Sequence, residues 1–181
     1  MAEKLPGEPH QAVWALLEAV TDPEIPVVSL REMGILRAVR DGAQGLEVVI
    51  TPTYSGCPAM GQMEDDVKAA LAQAGVAARV LTLLAPAWST DWMTPEAREK
   101  LRAYGIAPPV HAAPGACGHG APASSIVQFA SEKMSGPRLT VPCPQCGSGN
   151  TTQISHFGST ACKALYKCLD CLEPFDYFKP Y

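Results

Sequence analysis

Four cysteines near the C-terminal end of the chain fall into two close pairs, Cys143 with Cys146 and Cys168 with Cys171. Each C-x-x-C pair can chelate one metal ion, and two pairs supply the four thiolates of a tetrahedral site. A segment this small buries too little apolar surface to fold by burial alone. The spacing therefore predicts a zinc-ribbon-like β module over residues 138–181.

Zinc is the metal that this spacing favours, because two close pairs on a small β scaffold are its usual pattern. An iron–sulfur cluster stays open as the alternative, since cysteine thiolates also hold such clusters. Cys162 and His156 lie between the two pairs and are possible alternative ligands. The remaining interpretation is a set of fortuitous thiols in a disordered tail.

Charge and composition restrict the setting in which the chain works. The formal net charge is −4, which argues against a general binder of nucleic acid or anionic membranes, because phosphate affinity requires an excess of Lys and Arg. The longest apolar run, residues 76–88, contains Arg79 and is too short to span a bilayer. Residues 1–10 contain no apolar signal-peptide core, and the cysteines number seven, which is odd. We expect reduced thiols in a soluble cytoplasmic protein, and a homo-oligomer stays possible.

The hydrophobic pattern divides the chain into three parts and predicts an α+β fold. Residues 8–110 have the element order α-β-β-α-β-α, which predicts a small three-stranded mixed sheet with packed helices. Residues 111–137 are rich in Ala, Gly, Pro and Ser and predict a linker, within which residues 125–131 are apolar enough to dock. Residues 138–181 form the four-cysteine module. The predicted helices cover residues 10–20, 61–74 and 94–105, and the predicted strands cover 35–39, 46–50, 77–84, 151–157 and 164–167.

Cys57 occupies a chemically favourable position between a predicted strand and a predicted helix. The positive end of a helix dipole lowers the pKa of a nearby thiol, so this position favours a thiolate that serves as a nucleophile or a soft-metal ligand. A buried structural cysteine is the alternative. No histidine lies nearby in the sequence, which gives a Cys–His hydrolase little support.

Asp22 and Glu24 form an acidic pair on either side of Pro23, at the end of the first predicted helix. Taken alone, such a pair is more commonly a capped turn than a site. The chain also contains no P-loop, no G-x-G-x-x-G after a strand and no G-x-S-x-G. We therefore expect no enzymatic activity from the chain by itself.

Motifs on both sides of the predicted linker resemble known families. The first part contains DPEIP at residues 22–26, MGI at 33–35 and TYSGCPA at 53–59. In this order they resemble the metal–sulfur cluster assembly factor family, the SufT-like domain, over residues 8–109. Further motifs are PAWSTDWM at 86–93, GIAPP at 105–109, FGSTACKALY at 157–166 and EPFDYFK at 173–179. These resemble the PaaD (PaaJ) family, whose members are associated with ring-1,2-phenylacetyl-CoA epoxidase.

The resemblance implies an accessory protein of bacterial phenylacetate catabolism. It would mature or assemble a metal centre, iron–sulfur or di-iron, of the phenylacetyl-CoA epoxidase, which is a monooxygenase complex. Cys57, Asp22 and Glu24 would then form a transient site for metal or cluster transfer, provided that the first helix packs across the strand end. The partners would be the epoxidase subunits or their reductase. The alternative is an integral component of the oxygenase that carries its own iron–sulfur cluster for electron transfer.

Overall fold

The computed structural model describes residues 10–110 and 140–181. The predicted linker, its apolar segment 125–131 and Cys117 therefore lie outside the described residues. In chain order the elements are α1 Gln11–Leu17, β1 Leu36–Gly42, β2 Gly45–Ile50, α2 Met60–Gln73, β3 Ala78–Thr82, α3 Pro95–Tyr104, β4 Ile106–Ala107, β5 Thr151–Ser155, β6 Lys163–Cys168 and β7 Pro174–Phe178, with a 3-10 turn at Thr90–Trp92. Within the same residues, no helix has the length and apolar character needed to cross a bilayer.

The first sheet is three-stranded and mixed, which confirms the predicted fold class. Its strand order is β1-β2-β3, with β1 antiparallel and β3 parallel to β2. Because parallel neighbours need a crossover, α2 returns the chain from the end of β2 to the start of β3. It buries Met63, Val67 and Leu71, which share one face at a spacing of four residues. This places the loop that carries Cys57 at the carboxyl end of β2.

The α3 helix begins and ends at the residues that the sequence indicates. The Thr94 hydroxyl accepts a hydrogen bond from the Ala97 N–H, which caps the first turn. Pro95 follows at the first helical position, where its missing N–H removes no helical bond. Gly105 closes the helix with φ of 94°, a left-handed conformation that glycine adopts without Cβ strain. These local signals bring the chain to β4.

The second sheet has four strands in the order β4-β7-β6-β5. The sequence predicts β5 and β6, and the structure adds the third strand of the ribbon, β7. It also adds β4, which comes from the first part of the chain and runs parallel to β7, with Ile106 opposite Asp176. The alternation of Phe175 and Tyr177 in β7, both buried, is the period-two signal of a strand. The four-cysteine part and the first part therefore share a sheet.

The two parts also share a hydrophobic core. Phe178 at the end of β7 is 1% exposed and packs its ring 6.0 Å from that of Trp88. The Trp88 indole N–H donates to the Met33 carbonyl at 3.1 Å, so the partner of Phe178 is itself fixed. The main-chain carbonyl of Tyr181 accepts from the Thr90 N–H at 3.2 Å. Burial and hydrogen bonds thus hold β7 and the residues after it against the first part.

Candidate metal centres

The four paired cysteines converge on one point. Their sulfurs all lie within 4.8 Å of one another. The Cys143 and Cys171 sulfurs are 3.7 Å apart, and those of Cys146 and Cys168 are 3.6 Å apart. A tetrahedral zinc ion with bonds of about 2.3 Å requires sulfur–sulfur edges of about 3.8 Å. The four-thiol set that the spacing predicts therefore fits one tetrahedral ion.

Each knuckle contains a residue in the left-handed conformation, immediately after the second cysteine of the pair. Gly147 has φ of 75°, and Leu172 has φ of 67°. Glycine adopts this conformation freely, whereas leucine pays a steric cost of about 1–2 kcal/mol. The Cys171 N–H lies 3.4 Å from the Cys168 sulfur. The metal-site turn thus imposes a conformation that the sequence at Leu172 does not favour.

The thiols of the cluster do not ionise alike in the absence of an ion. The Cys171 N–H and other contacts lower the pKa of Cys168 to about 7. For Cys171 the N–H of Glu173 acts in the same sense, but burial and the neighbouring sulfurs raise its pKa to about 12. Because a metal binds thiolates, loading this site must expel protons.

Cys162 and His156 do not belong to this cluster, since neither contributes an atom to it. The His156 ring is exposed and lies edge-on to Phe157, with centroids 5.0 Å apart. Cys162 is 7% exposed and lies in the core that the two parts of the chain share. Sequence spacing marks both residues as possible ligands, but the fold turns them away from the four sulfurs.

The acidic pair is close enough to Cys57 to act on its thiol electrostatically. Asp22 is buried, and its Oδ1 accepts the N–H groups of Glu24 at 2.7 Å and Ile25 at 3.0 Å. The charges of Glu24 and Asp22 both act on the Cys57 thiol. The neighbouring Thr51 N–H bonds the Ile35 carbonyl at 2.8 Å, which ties the end of β2 to the segment after the acidic turn.

The expected low pKa of Cys57 is wrong. Burial raises the pKa of this half-buried thiol, and the charges of Glu24 and Asp22 add to the effect. The backbone N–H groups of Ala59 and Met60 at the start of α2 oppose it without prevailing. Burial also raises the pKa of Asp22, against its two backbone hydrogen bonds and the charge of Lys163. Burial thus disfavours the charged forms of both groups, and an incoming cation would favour those forms.

Lys163 is a member of this neighbourhood that sequence reasoning missed. It begins β6, is 4% exposed, and acts electrostatically on both Asp22 and Cys162. Its position depends on the packing of the ribbon against the first part, which is a long-range contact. In the sequence, Lys163 is indicated only by its place beside Cys162, within the motif at residues 157–166 that resembles the PaaD family.

Comparison with known proteins assigns a family to each part. A model described as "Iron-sulfur cluster assembly protein" matches residues 10–81, and one described as "PaaD zinc beta ribbon domain" matches residues 128–179. The chain is also 44% identical, over 99% of its length and 97% of the relative's, to an Escherichia coli (strain K12) protein named as the D subunit of a "Putative 1,2-phenylacetyl-CoA epoxidase". The chain belongs to the PaaD family. This confirms the family that the motifs indicate.

Solved structures resemble the first part of this PaaD-family chain more loosely. A domain of unknown function, DUF59, from Bacillus anthracis is 32% identical, with a TM-score of 0.46, and the match covers 50% of this chain and 88% of that one. A conserved hypothetical protein from Thermotoga maritima is 25% identical, with a TM-score of 0.42, covering 56% of this chain and 98% of that one.

Proposed function

We propose that this protein is an accessory factor of bacterial phenylacetate degradation that matures or assembles a metal centre of the phenylacetyl-CoA epoxidase. The observation that carries the proposal is Cys57 beside two carboxylates, inside a part that matches the iron–sulfur cluster assembly model. The relative's name supplies the pathway and the complex. The client would be an iron–sulfur or di-iron centre of an epoxidase subunit or of its reductase.

The donor set at Cys57 suits iron as cargo. Thiolates are soft ligands that bind iron–sulfur clusters, while carboxylates are hard ligands for iron ions. Outside the four-sulfur cluster, no three His, Cys, Asp or Glu ligand atoms in residues 10–110 and 140–181 lie within 4.8 Å of one another. An incompletely enclosed site is what a carrier needs, because the cargo must leave for its client.

The four-cysteine cluster would have a structural role in this scheme. Cys143, Cys146, Cys168 and Cys171 would hold zinc, which links the two knuckles and stabilises a sheet with little core of its own. In this proposal residues 8–110 transfer the metal, residues 111–137 form the linker, and residues 138–181 form the module that zinc stabilises. Reduced thiols fit the cytoplasmic location that the sequence predicts.

Loss of the Cys57 thiol tests the proposal. A host that lacks this protein is complemented with wild type, Cys57→Ser or Ser55→Ala, the last being an exposed control in the same loop. We expect Cys57→Ser to fold and keep its ribbon metal, yet to leave the epoxidase inactive and its metal centre depleted. Full epoxidase activity with Cys57→Ser would exclude the maturation role.

A second function is supported by the four-sulfur cluster itself, because four thiolates also hold iron–sulfur clusters. The chain would then be an integral electron-transfer component of the oxygenase. Metal and acid-labile sulfide analysis of anaerobically purified protein separates the two functions. Colourless protein with about one zinc per chain supports the structural role, since four thiolates bind one ion. Brown protein with sulfide that is lost on Cys168→Ser supports electron transfer.

A further inference from the structure

Cys162 belongs in sequence to the ribbon but lies in the core shared with the first part. It is 7% exposed and packs in the same cluster as Trp88 and Phe178. Cys57, which belongs to the first part, packs against the same cluster. Two thiols from distant parts of the chain therefore adjoin one core, and neither belongs to the four-sulfur cluster.

The backbone around Cys162 is fixed from three directions. The Cys162 carbonyl accepts the Lys179 N–H at 3.0 Å, which joins the start of β6 to the end of β7. The Tyr181 hydroxyl donates to the Ala161 carbonyl at 3.4 Å. The Thr160 hydroxyl lies 3.0 Å from the Cys162 sulfur. The position of the thiol thus depends on the same contacts that hold the ribbon against the first part.

The two thiols share the same charged neighbours. Burial raises the pKa of Cys162, and the charges of Glu24 and Asp22 add to this, as they do for Cys57. Burial raises the pKa of the Tyr54 phenol, and the charges of Cys57, Cys162 and Glu24 add to this effect. Two thiols and two carboxylates are therefore close enough to interact electrostatically.

Two largely buried charged side chains at the same junction retain unused hydrogen-bonding capacity. Lys163 is 4% exposed, and its ammonium makes no hydrogen bond to any residue that the structure describes. Its nearest carboxylate oxygen, on Asp176, is 3.8 Å away and already accepts the Ser159 hydroxyl at 2.8 Å. Asp22 is 6% exposed and makes both of its hydrogen bonds through Oδ1, and none reaches its Oδ2 from the described residues.

The Lys163 ammonium keeps N–H donors beyond its ion pair with Asp176, and Asp22 keeps one carboxylate oxygen beyond its two backbone hydrogen bonds. Both side chains therefore retain the capacity to bind a polar ligand.

We propose that Cys162 is the second thiol of the Cys57 site, so that the transferred iron or iron–sulfur cluster binds at the junction between the first part and the ribbon. Cys57 and Cys162 would bind the metal as thiolates. The Lys163 ammonium would donate to sulfide or another anionic ligand of the metal. The identity of the cargo rests on the proposed function, but the pairing of the two thiols does not.

Cobalt binding tests the pairing without any epoxidase. Anaerobic full-length protein, with its zinc content measured first, is titrated with Co(II), whose near-ultraviolet sulfur-to-metal absorption reports bound thiolates. We expect the wild type to absorb about twice as strongly per bound ion as Cys57→Ser or Cys162→Ser, because each variant retains one of two thiolates. The double variant should show no such band, and the zinc content should stay the same throughout.

Cys162→Ala is the matched control for packing, because it keeps an apolar side chain in the core but removes the sulfur. If Cys162 is only a core residue, this variant keeps the full wild-type band, and that result would overturn the proposal. The proposal would also be overturned if all the cobalt absorption came from cobalt that had replaced zinc in the four-cysteine cluster. A halved band in Cys162→Ala that folds like wild type supports it, even if Cys162→Ser folds poorly.

The same variants separate this inference from the proposed function. If both single variants halve the cobalt band but Cys57→Ser still supports full epoxidase activity in cells, the pairing stands and the maturation role fails. If only Cys57→Ser changes the band and abolishes maturation, the maturation role stands and the pairing fails.

Discussion

Truncation of Phe178 to alanine should destabilise the whole protein rather than the ribbon alone. This side chain is 1% exposed and is among the largest that are fully buried. It extends from β7 into the core of the first part and packs against Trp88 with ring centroids 6.0 Å apart. Phe→Ala at a buried site costs about 3–5 kcal/mol, because transfer energy is lost and a cavity remains.

That cost is a large part of the stability of a domain, which is about 5–15 kcal/mol. For a chain of this size each kcal/mol lowers Tm by about 2–4 °C, so we expect a decrease of about 6–20 °C. Phe157→Ala is the matched control from the same module. Phe157 is 63% exposed, and its contact with the Lys179 ammonium at 4.7 Å accounts for at most about 1 kcal/mol.

Two probes follow urea unfolding of the metal-loaded protein in the two parts separately. The three tryptophans all lie in the first part, at residues 14, 88 and 92, so their fluorescence reports that part. Release of metal to a colorimetric chelator reports the ribbon. If the core is shared, both transitions coincide and both shift in Phe178→Ala. An unchanged fluorescence midpoint, with only metal release made easier, would refute the shared core.

Three further predictions concern single contacts and the metal. Leu172→Gly should raise the free energy of unfolding by about 1 kcal/mol, because it removes left-handed strain at an exposed side chain, whereas Leu169→Gly should lower it. Burial acts to raise the pKa of Glu32, but the Lys100 ammonium at 2.7 Å and the Ser29 N–H hold this pKa below 4.5. The Glu32 carboxylate therefore stabilises the fold above pH 4.5, and this stabilisation is lost as the pH falls through the lowered pKa of the folded protein. Glu32→Gln should therefore cost about 1 kcal/mol in unfolding experiments at pH 7, and this cost should decrease as the pH falls through the lowered pKa of Glu32. Chelation of the metal should remove the circular-dichroism signal of the second sheet, and a signal that persists in metal-free protein would contradict a structural metal.

The sequence predicts those parts of the fold that local signals specify. The Asp41-Gly42 pair ends β1, and the hairpin turns at the next two residues, Ala43 and Gln44. Thr94 and Gly105 mark the ends of α3. By contrast, β4 has only two residues, too few for any periodic pattern, and its pairing with β7 joins segments far apart in the chain. Long-range pairing is decided by packing, which a reading of local patterns does not contain.

The candidate sites divide in the same way. The spacing of Cys143, Cys146, Cys168 and Cys171 is local within each pair, and it predicts the four sulfurs that the fold brings within 4.8 Å of one another. The expected pKa of Cys57 rests on its nearest helix alone, and burial and two carboxylates from an earlier turn reverse the expected direction. The same two carboxylates also act on Cys162, which is distant from them in the sequence.

The two metal sites are linked through one short stretch of chain. Cys162 lies immediately before β6, and Cys168 ends that strand, so β6 connects a thiol of the shared core to a ligand of the cluster. The partner strand β7 carries Phe178, which holds the module against the first part. If Cys162 is the second thiol of the Cys57 site, loss of the structural metal would loosen β6 and move Cys162 away from Cys57. The four-cysteine cluster would then position part of the proposed transfer site as well as stabilise the tail.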